Sequence, residues 1–125
     1  VASNVFSLAQ AAYQRQPRLI PLGVYDGDAM IGFVMYADPA SPPDDQGRTW
    51  ILRIMIGQDH QGKGYGRAAM IALLARMQAA TPPPRTIALD FHEGNHVAEK
   101  LYESLGFRKT GEQEGHEVIA ILDRA

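Results

Sequence analysis

The ten residues Gln58 to Arg67, QDHQGKGYGR, hold the most informative local pattern in the chain. Three glycines, Gly62, Gly64 and Gly66, occupy alternate positions and are followed at once by a long stretch with apolar residues at helical spacing. Glycine relieves the steric ban on positive φ, and it also lets another molecule come up to bare backbone. Upstream, Trp50 to Ile56 is a β-branched and apolar run that reads as a strand. Downstream, Met70, Leu73, Leu74 and Met77 form one face of a helix from Arg67 to Ala80, which Pro82-Pro83-Pro84 must end. The glycines therefore sit where a strand turns into a helix. A helix start leaves backbone N–H groups unpaired at the positive end of the macrodipole, a ready site for an anion. A plain turn that uses glycine for geometry explains the same residues, and the local pattern leaves both readings open. The spacing is not Gly-x-Gly-x-x-Gly, and no Gly-Lys-Ser/Thr is present, so dinucleotide and nucleoside triphosphate readings lose their support.

The remaining pattern supplies one α/β domain over residues 1–125, with no repeat and no second domain. Val5, Leu8, Ala9 and Ala12 predict a helix over Ser3 to Arg15. Ile20, Leu22 and Val24, the turn Asp26-Gly27, and the run Met30 to Tyr36 predict a hairpin. Asp38 to Gly47, with three prolines, is a loop. Thr86 to Phe91 reads as a strand. Ala98, Leu101, Tyr102 and Leu105 mark a second strong helix, capped by Asn95 and stopped by Gly106, and Phe107 to Thr110 and Glu117 to Leu122 read as closing strands.

Composition narrows the function classes. The 125 residues are 46% hydrophobic and 21% charged, with a net charge of −2 and a pI of about 6.1. That balance gives no basic footprint for nucleic acid or for an anionic membrane. No apolar run reaches the ~20 residues of a membrane-spanning helix, and no leader pattern is seen. The absence of cysteine excludes disulfides, thiolate zinc sites and a cysteine nucleophile, and fits a reducing compartment such as the cytoplasm. The four histidines show no ligand spacing with carboxylates, so no metal is expected.

Gln61-x-x-Gly64-x-Gly66, after a strand and opening a helix, resembles the pyrophosphate-binding signature of the GNAT superfamily of acetyl-coenzyme A-dependent N-acetyltransferases. The segment NHVAEKLYESLGF, residues 95–107, is similar to that superfamily's following helix and strand. The likeness runs from about Leu19 to Leu122. LRIMIGQDHQGKGYGRAAM and GFRKTGEQEGHEVIAIL are most similar to bacterial spermine/spermidine and diamine acetyltransferases. The resemblance implies an α+β fold: a mixed, mostly antiparallel central sheet flanked by helices. It also implies a strand and a helix ahead of Ser3 to Arg15. Their absence from the sequence leads to the expectation of an N-terminally incomplete domain, or of an edge supplied by another chain as in a homodimer.

The resemblance further assigns roles. The coenzyme pyrophosphate would lie on the segment Gln61, Gly62, Lys63, Gly64, Tyr65, Gly66 and Arg67, with Lys63 and Arg67 adding screened positive charge. The backbone of Ile54, Met55 and Ile56 would face the pantetheine arm, with an oxyanion-type N–H near Ile56. Asn95 would bond the pantetheine region or serve only as a helix cap. Tyr102 would protonate the departing thiolate, a task suited to a phenol with pKa near ~10. An alkyl ammonium of pKa ~10.4 is neutral in only about one molecule in a few thousand at pH 7, a handicap of roughly 4.6 kcal/mol, so a proton acceptor is needed. Asp90, His92 and Glu93, at one strand end, are the candidates, with Asp90 and His92 on one face and Glu93 on the other. Glu112, Glu114 and Glu117 offer further charge for a cationic acceptor. The expected partner is a small amine, foremost a polyamine by this branch likeness; a peptide amine and a non-catalytic coenzyme-binding module are the alternatives.

Overall fold

The structure is a computed structural model and describes residues 18–123; the helix expected over Ser3 to Arg15 lies outside the described residues. The hairpin forms from strands β1 (Leu19–Asp26) and β2 (Ala29–Ala37), joined through Gly27 at φ 61°. Strand β3 (Arg48–Ile56) leads through a short 3₁₀ turn, Gln58–His60, into helix α1 (Tyr65–Gln78). Strand β4 (Thr86–His92), helix α2 (His96–Ser104) and strands β5 (Arg108–Glu114) and β6 (Glu117–Asp123) complete the described chain. The six strands make one sheet in the order β1-β2-β3-β4-β6-β5. Only β3 and β4 run parallel; the other neighbours are antiparallel. A parallel pair needs a crossover, and α1 supplies it.

The apolar face of α1 is buried as the spacing predicts, with Met70, Leu73, Leu74 and Met77 packed against Val34, Tyr36, Ile51, Ile87 and Leu89 of the sheet. Helix α2 adds Tyr102, buried beside Phe91 and Phe107 at ring separations of 5.8 and 6.0 Å, and partly buried Ala98, Leu101 and Leu105. The loop before β3 is held by one carboxylate: Asp44 accepts from the backbone of Gln46 and Arg48 and from the Trp50 indole, at 2.8 to 2.9 Å.

Two irregularities open the middle of the sheet. Met35 faces Arg53 while the next residue, Tyr36, faces Ile51, so Leu52 is an extra residue in β3. Such a bulge bends its strand and strengthens the local twist. The parallel pairing of β3 to β4 covers Arg48, Thr49 and Trp50 against Thr86, Ile87 and Ala88 and goes no further. Past Trp50, β3 and β4 part, while β4 stays paired with β6 over its whole length.

Candidate active site

The glycine-rich turn is a bare helix start. Gly64 caps α1 in the left-handed region at φ 82°, and Gly62 lies there too at φ 79°. The first intrahelical bond runs from the Ala68 N–H to the Gly64 carbonyl. Among the described residues, none of the N–H groups from Gly62 to Arg67 donates to a protein acceptor, and no acidic side chain stands in the first turn. A Cβ added at Gly62 or Gly64 would meet no atom within 4 Å, so packing does not demand glycine there; positive φ does. Gly66 differs, because its φ is ordinary and a Cβ would make only normal contacts, 3.8 Å to Leu101 and 4.0 Å to Ile56. Side chains brace the turn from outside. The Gln61 amide donates to the Ile56 carbonyl at 3.0 Å, the Tyr65 hydroxyl to Asp26 at 2.6 Å, and Arg67 to the Ser104 hydroxyl at 2.6 Å.

Where β3 and β4 separate, a cleft of about 220 Å³ opens. Its β3 wall is Ile51 to Ile54 and its β4 wall Leu89 to His92, closed by Asn95, Ala98 and Tyr102 from α2 and by Glu117 from β6. Asn95 caps α2 with its side-chain oxygen, accepting the Ala98 N–H at 3.1 Å, and borders the cleft as well. Strand alternation buries Leu89 and Phe91 and leaves Asp90 and His92 reachable by water.

The cleft perturbs two titratable groups. The cleft walls partly desolvate Asp90, and the nearby Glu117 carboxylate adds repulsion; together they raise its pKa to about 6, against the opposing pull of Arg53. Tyr102 is pushed above the usual phenol value, first by burial and then by the charge of Asp90, so its proton is held firmly at neutral pH. No protein group among the described residues hydrogen-bonds the Tyr102 hydroxyl.

Of the residues singled out in the sequence, Ile54, Asp90, His92, Asn95, Tyr102 and Glu117 meet in this cleft. Met55, Ile56 and the Gln61 to Arg67 turn continue from its β3 wall and do not line it. Glu93 falls just past the end of β4 and points to other partners, His116 at 3.1 Å and Gln113 at 2.9 Å, which hold its pKa down. Glu112 is bonded to buried Arg48 at 2.7 Å. Arg53 was not anticipated. Its signal in the sequence is a lone charge within the apolar strand Ile51-Leu52-Arg53-Ile54, a pattern that asks which space the charge faces.

Residues 3–107 match the model of the acetyltransferase (GNAT) family. The chain belongs to this family. A curated relative, the spermine/spermidine N(1)-acetyltransferase of Bacillus subtilis, is 35% identical over 94 residues, covering 74% of this chain and 61% of its own length. The GNAT chain thus spans about three-fifths of that relative. Among solved structures, one from Pyrococcus horikoshii is 28% identical with a TM-score of 0.65, covering 81% of this chain and 62% of the other. The PaiA N-acetyltransferase of Thermoplasma acidophilum, solved with coenzyme A, shares the fold at 18% identity and a TM-score of 0.69, covering 96% of this chain and 69% of its own. The parted parallel strands and the bare helix start thus lie within a GNAT α+β fold. Among the described residues no helix is long and apolar enough to cross a membrane.

Proposed function

We propose that this GNAT domain transfers the acetyl group of acetyl-coenzyme A to a small primary amine, foremost a polyamine, by direct attack while both are bound. The observation that carries the reading is the convergence of Tyr102 and Asp90 on one cleft where the pairing of β3 with β4 has ended. The residues fit the coenzyme. Six N–H groups from Gly62 to Arg67, engaged by no described residue, suit a pyrophosphate, and Gly66 is a helix glycine that neither strain nor packing in the chain requires. Past Trp50 the β3–β4 pairing stops, and the β4-facing side of β3 at Ile54 and Ile56 suits an extended pantetheine arm, which adds to the sheet like a strand.

In this reading Asp90, more basic than an ordinary carboxylate yet still ionised at neutral pH, takes the first proton from the substrate ammonium and passes it to water. The freed amine forms the C–N bond at the acetyl carbonyl, and a β3 N–H near Ile56 stabilises the charge that develops on the oxygen. As the C–S bond breaks, Tyr102 gives its proton to the sulfur and regains one from the nitrogen, leaving a neutral amide and a neutral thiol. Polyamine as the acceptor draws on the activity named for the Bacillus subtilis relative and on the carboxylates at the cleft.

Release of free thiol, measured with spermine, spermidine, putrescine, butylamine and a peptide amino terminus at low and high salt, tests both parts. The expected order places the polyamines first, with kcat/KM falling as salt screens the attraction. A peptide or butylamine that outperforms every polyamine rejects the acceptor; coenzyme binding without thiol release for any amine rejects catalysis.

A further inference from the structure

Charge is distributed unevenly across the cleft. On the β3 wall, the Arg53 Nε is shut off from solvent and hydrogen-bonds nothing among the described residues. On the opposite wall, at the first residue of β6, the Glu117 Oε2 is likewise closed off and unbonded. Its neighbour in register, His92, keeps Nδ1 4.0 Å away, beyond hydrogen-bond length. Asp90 lies diagonally from Glu117 across the β4–β6 pair, one step deeper along the strand than His92.

Of the nearby carboxylates two are engaged, while Glu114, which faces Glu117 in register, adds further negative charge. Glu93 holds His116 and Gln113, and Glu112 holds Arg48. Glu117 differs from those two: its side chain borders the cleft and is 41% exposed, and its Oε2 has no hydrogen-bond donor among the described residues. A desolvated acceptor without a donor is unfavourable, and an alkyl ammonium supplies three donors and no acceptor. The same ammonium cannot satisfy Arg53, which repels it.

We propose that Glu117 holds a second cationic nitrogen of the acceptor and that Arg53 bars that nitrogen from the opposite wall. The acceptor then lies in one direction, with its reacting nitrogen at Asp90 and Tyr102 and its distal end toward β6. This rests on the acetyltransferase reading and adds to it the residues that select a diamine over a monoamine of equal length.

The test is the ratio of kcat/KM for putrescine to that for butylamine, each pair measured on one preparation. The fraction of folded enzyme and any common effect on Asp90 cancel in that ratio, so a poorly folding variant still reports. Parent protein favours putrescine. Glu117→Gln lowers the ratio about tenfold, the scale of one charge-assisted hydrogen bond, and Glu117→Asp restores part of it. Arg53→Gln raises the ratio about threefold, the scale of a screened charge pair. An unchanged ratio in Glu117→Gln overturns the assignment of Glu117, and a fall in Arg53→Gln overturns that of Arg53. If the parent turns over both amines with equal efficiency, the inference fails while the acetyltransferase reading stands; if it turns over neither, the inference fails, and the acetyltransferase reading fails with it only when spermine, spermidine and the peptide also release no thiol.

Discussion

The two halves of the proposed site are built from different materials. At the start of α1 the working groups are backbone: six N–H groups that no described residue engages, because the helix begins at Gly64 with no side-chain cap. In the cleft they are side chains, Asp90, Tyr102, Arg53 and Glu117, carried by four different elements and brought together only because β3 and β4 part. A backbone site depends on conformation and approach, so substitutions there change geometry. A side-chain site depends on proton affinity and charge, so near-isosteric substitutions there change chemistry and leave the fold alone. The difference can be probed from both sides.

The largest effect is expected in the cleft, at Tyr102. Tyr102→Phe keeps the ring packed against Phe91 and Phe107 and removes only the hydroxyl. Turnover is expected to fall by the ~10²–10⁴ of a lost general acid, with coenzyme affinity and unfolding temperature close to the parent's. Unchanged turnover, with the chemical step shown to limit the rate, returns Tyr102 to the core and leaves the cleft without its acid.

Asp90 tests the same half with pH. With its pKa raised to about 6, kcat/KM is expected to fall as pH drops below about 6, where the base becomes protonated, and Asp90→Asn is expected to remove that limb along with most of the activity. Stability should move the other way. A carboxyl whose folded pKa lies above its unfolded value of 3.8 favours the fold fully only below that value, and the benefit is lost as pH rises through about 6. Asp90→Asn should therefore melt higher than the parent at pH 7 to 8, with the gap closing as pH is lowered through this window. Equal melting temperatures at neutral pH would mean that the cleft does not strain this charge.

Most of the fold was legible from local chemistry. The hairpin turn, found one residue later at Gly27-Asp28, the apolar face of α1 and the Asn95 cap each arise from residues within a few positions of one another. The backbone half of the site was legible for the same reason, since a strand, a glycine turn and a helix start adjoin in the chain. The boundaries shifted slightly: α1 begins at Tyr65 instead of Arg67, because the left-handed Gly64 already ends the turn. The side-chain half was legible only in part. Alternation correctly put Asp90 and His92 on one face, but β4 stops at His92, and Glu93 turns away to His116. The bulge at Leu52 and the parting of β3 from β4 arise from pairing across the sheet. That pairing puts Arg53 in the cleft and distinguishes Glu117 from Glu112, and no periodicity along one strand carries it.

The smallest effect expected concerns the two glycines of the backbone half, and it separates conformation from approach. At Gly64 the two are confounded: Gly64→Val forces a β-branched residue to φ 82° and also puts a side chain where an anion would lie, so lost coenzyme binding has two causes. At Gly66 they come apart. Its backbone is ordinary helix, and the added methyl of Gly66→Ala meets only Leu101 and Ile56 at van der Waals distance. Alanine is favoured over glycine in a helix by about 1 kcal/mol, so the variant should melt a few degrees above the parent. Coenzyme A affinity, measured by calorimetry on the same sample, should nevertheless fall, since a methyl on the first turn holds a phosphate away from the N–H groups beneath it. A variant that is both more stable and binds coenzyme A as tightly as the parent would show that nothing approaches Gly66. The glycine pattern from Gly62 to Gly66 would then be a turn alone, and the backbone half of the site would have to be sought elsewhere along β3.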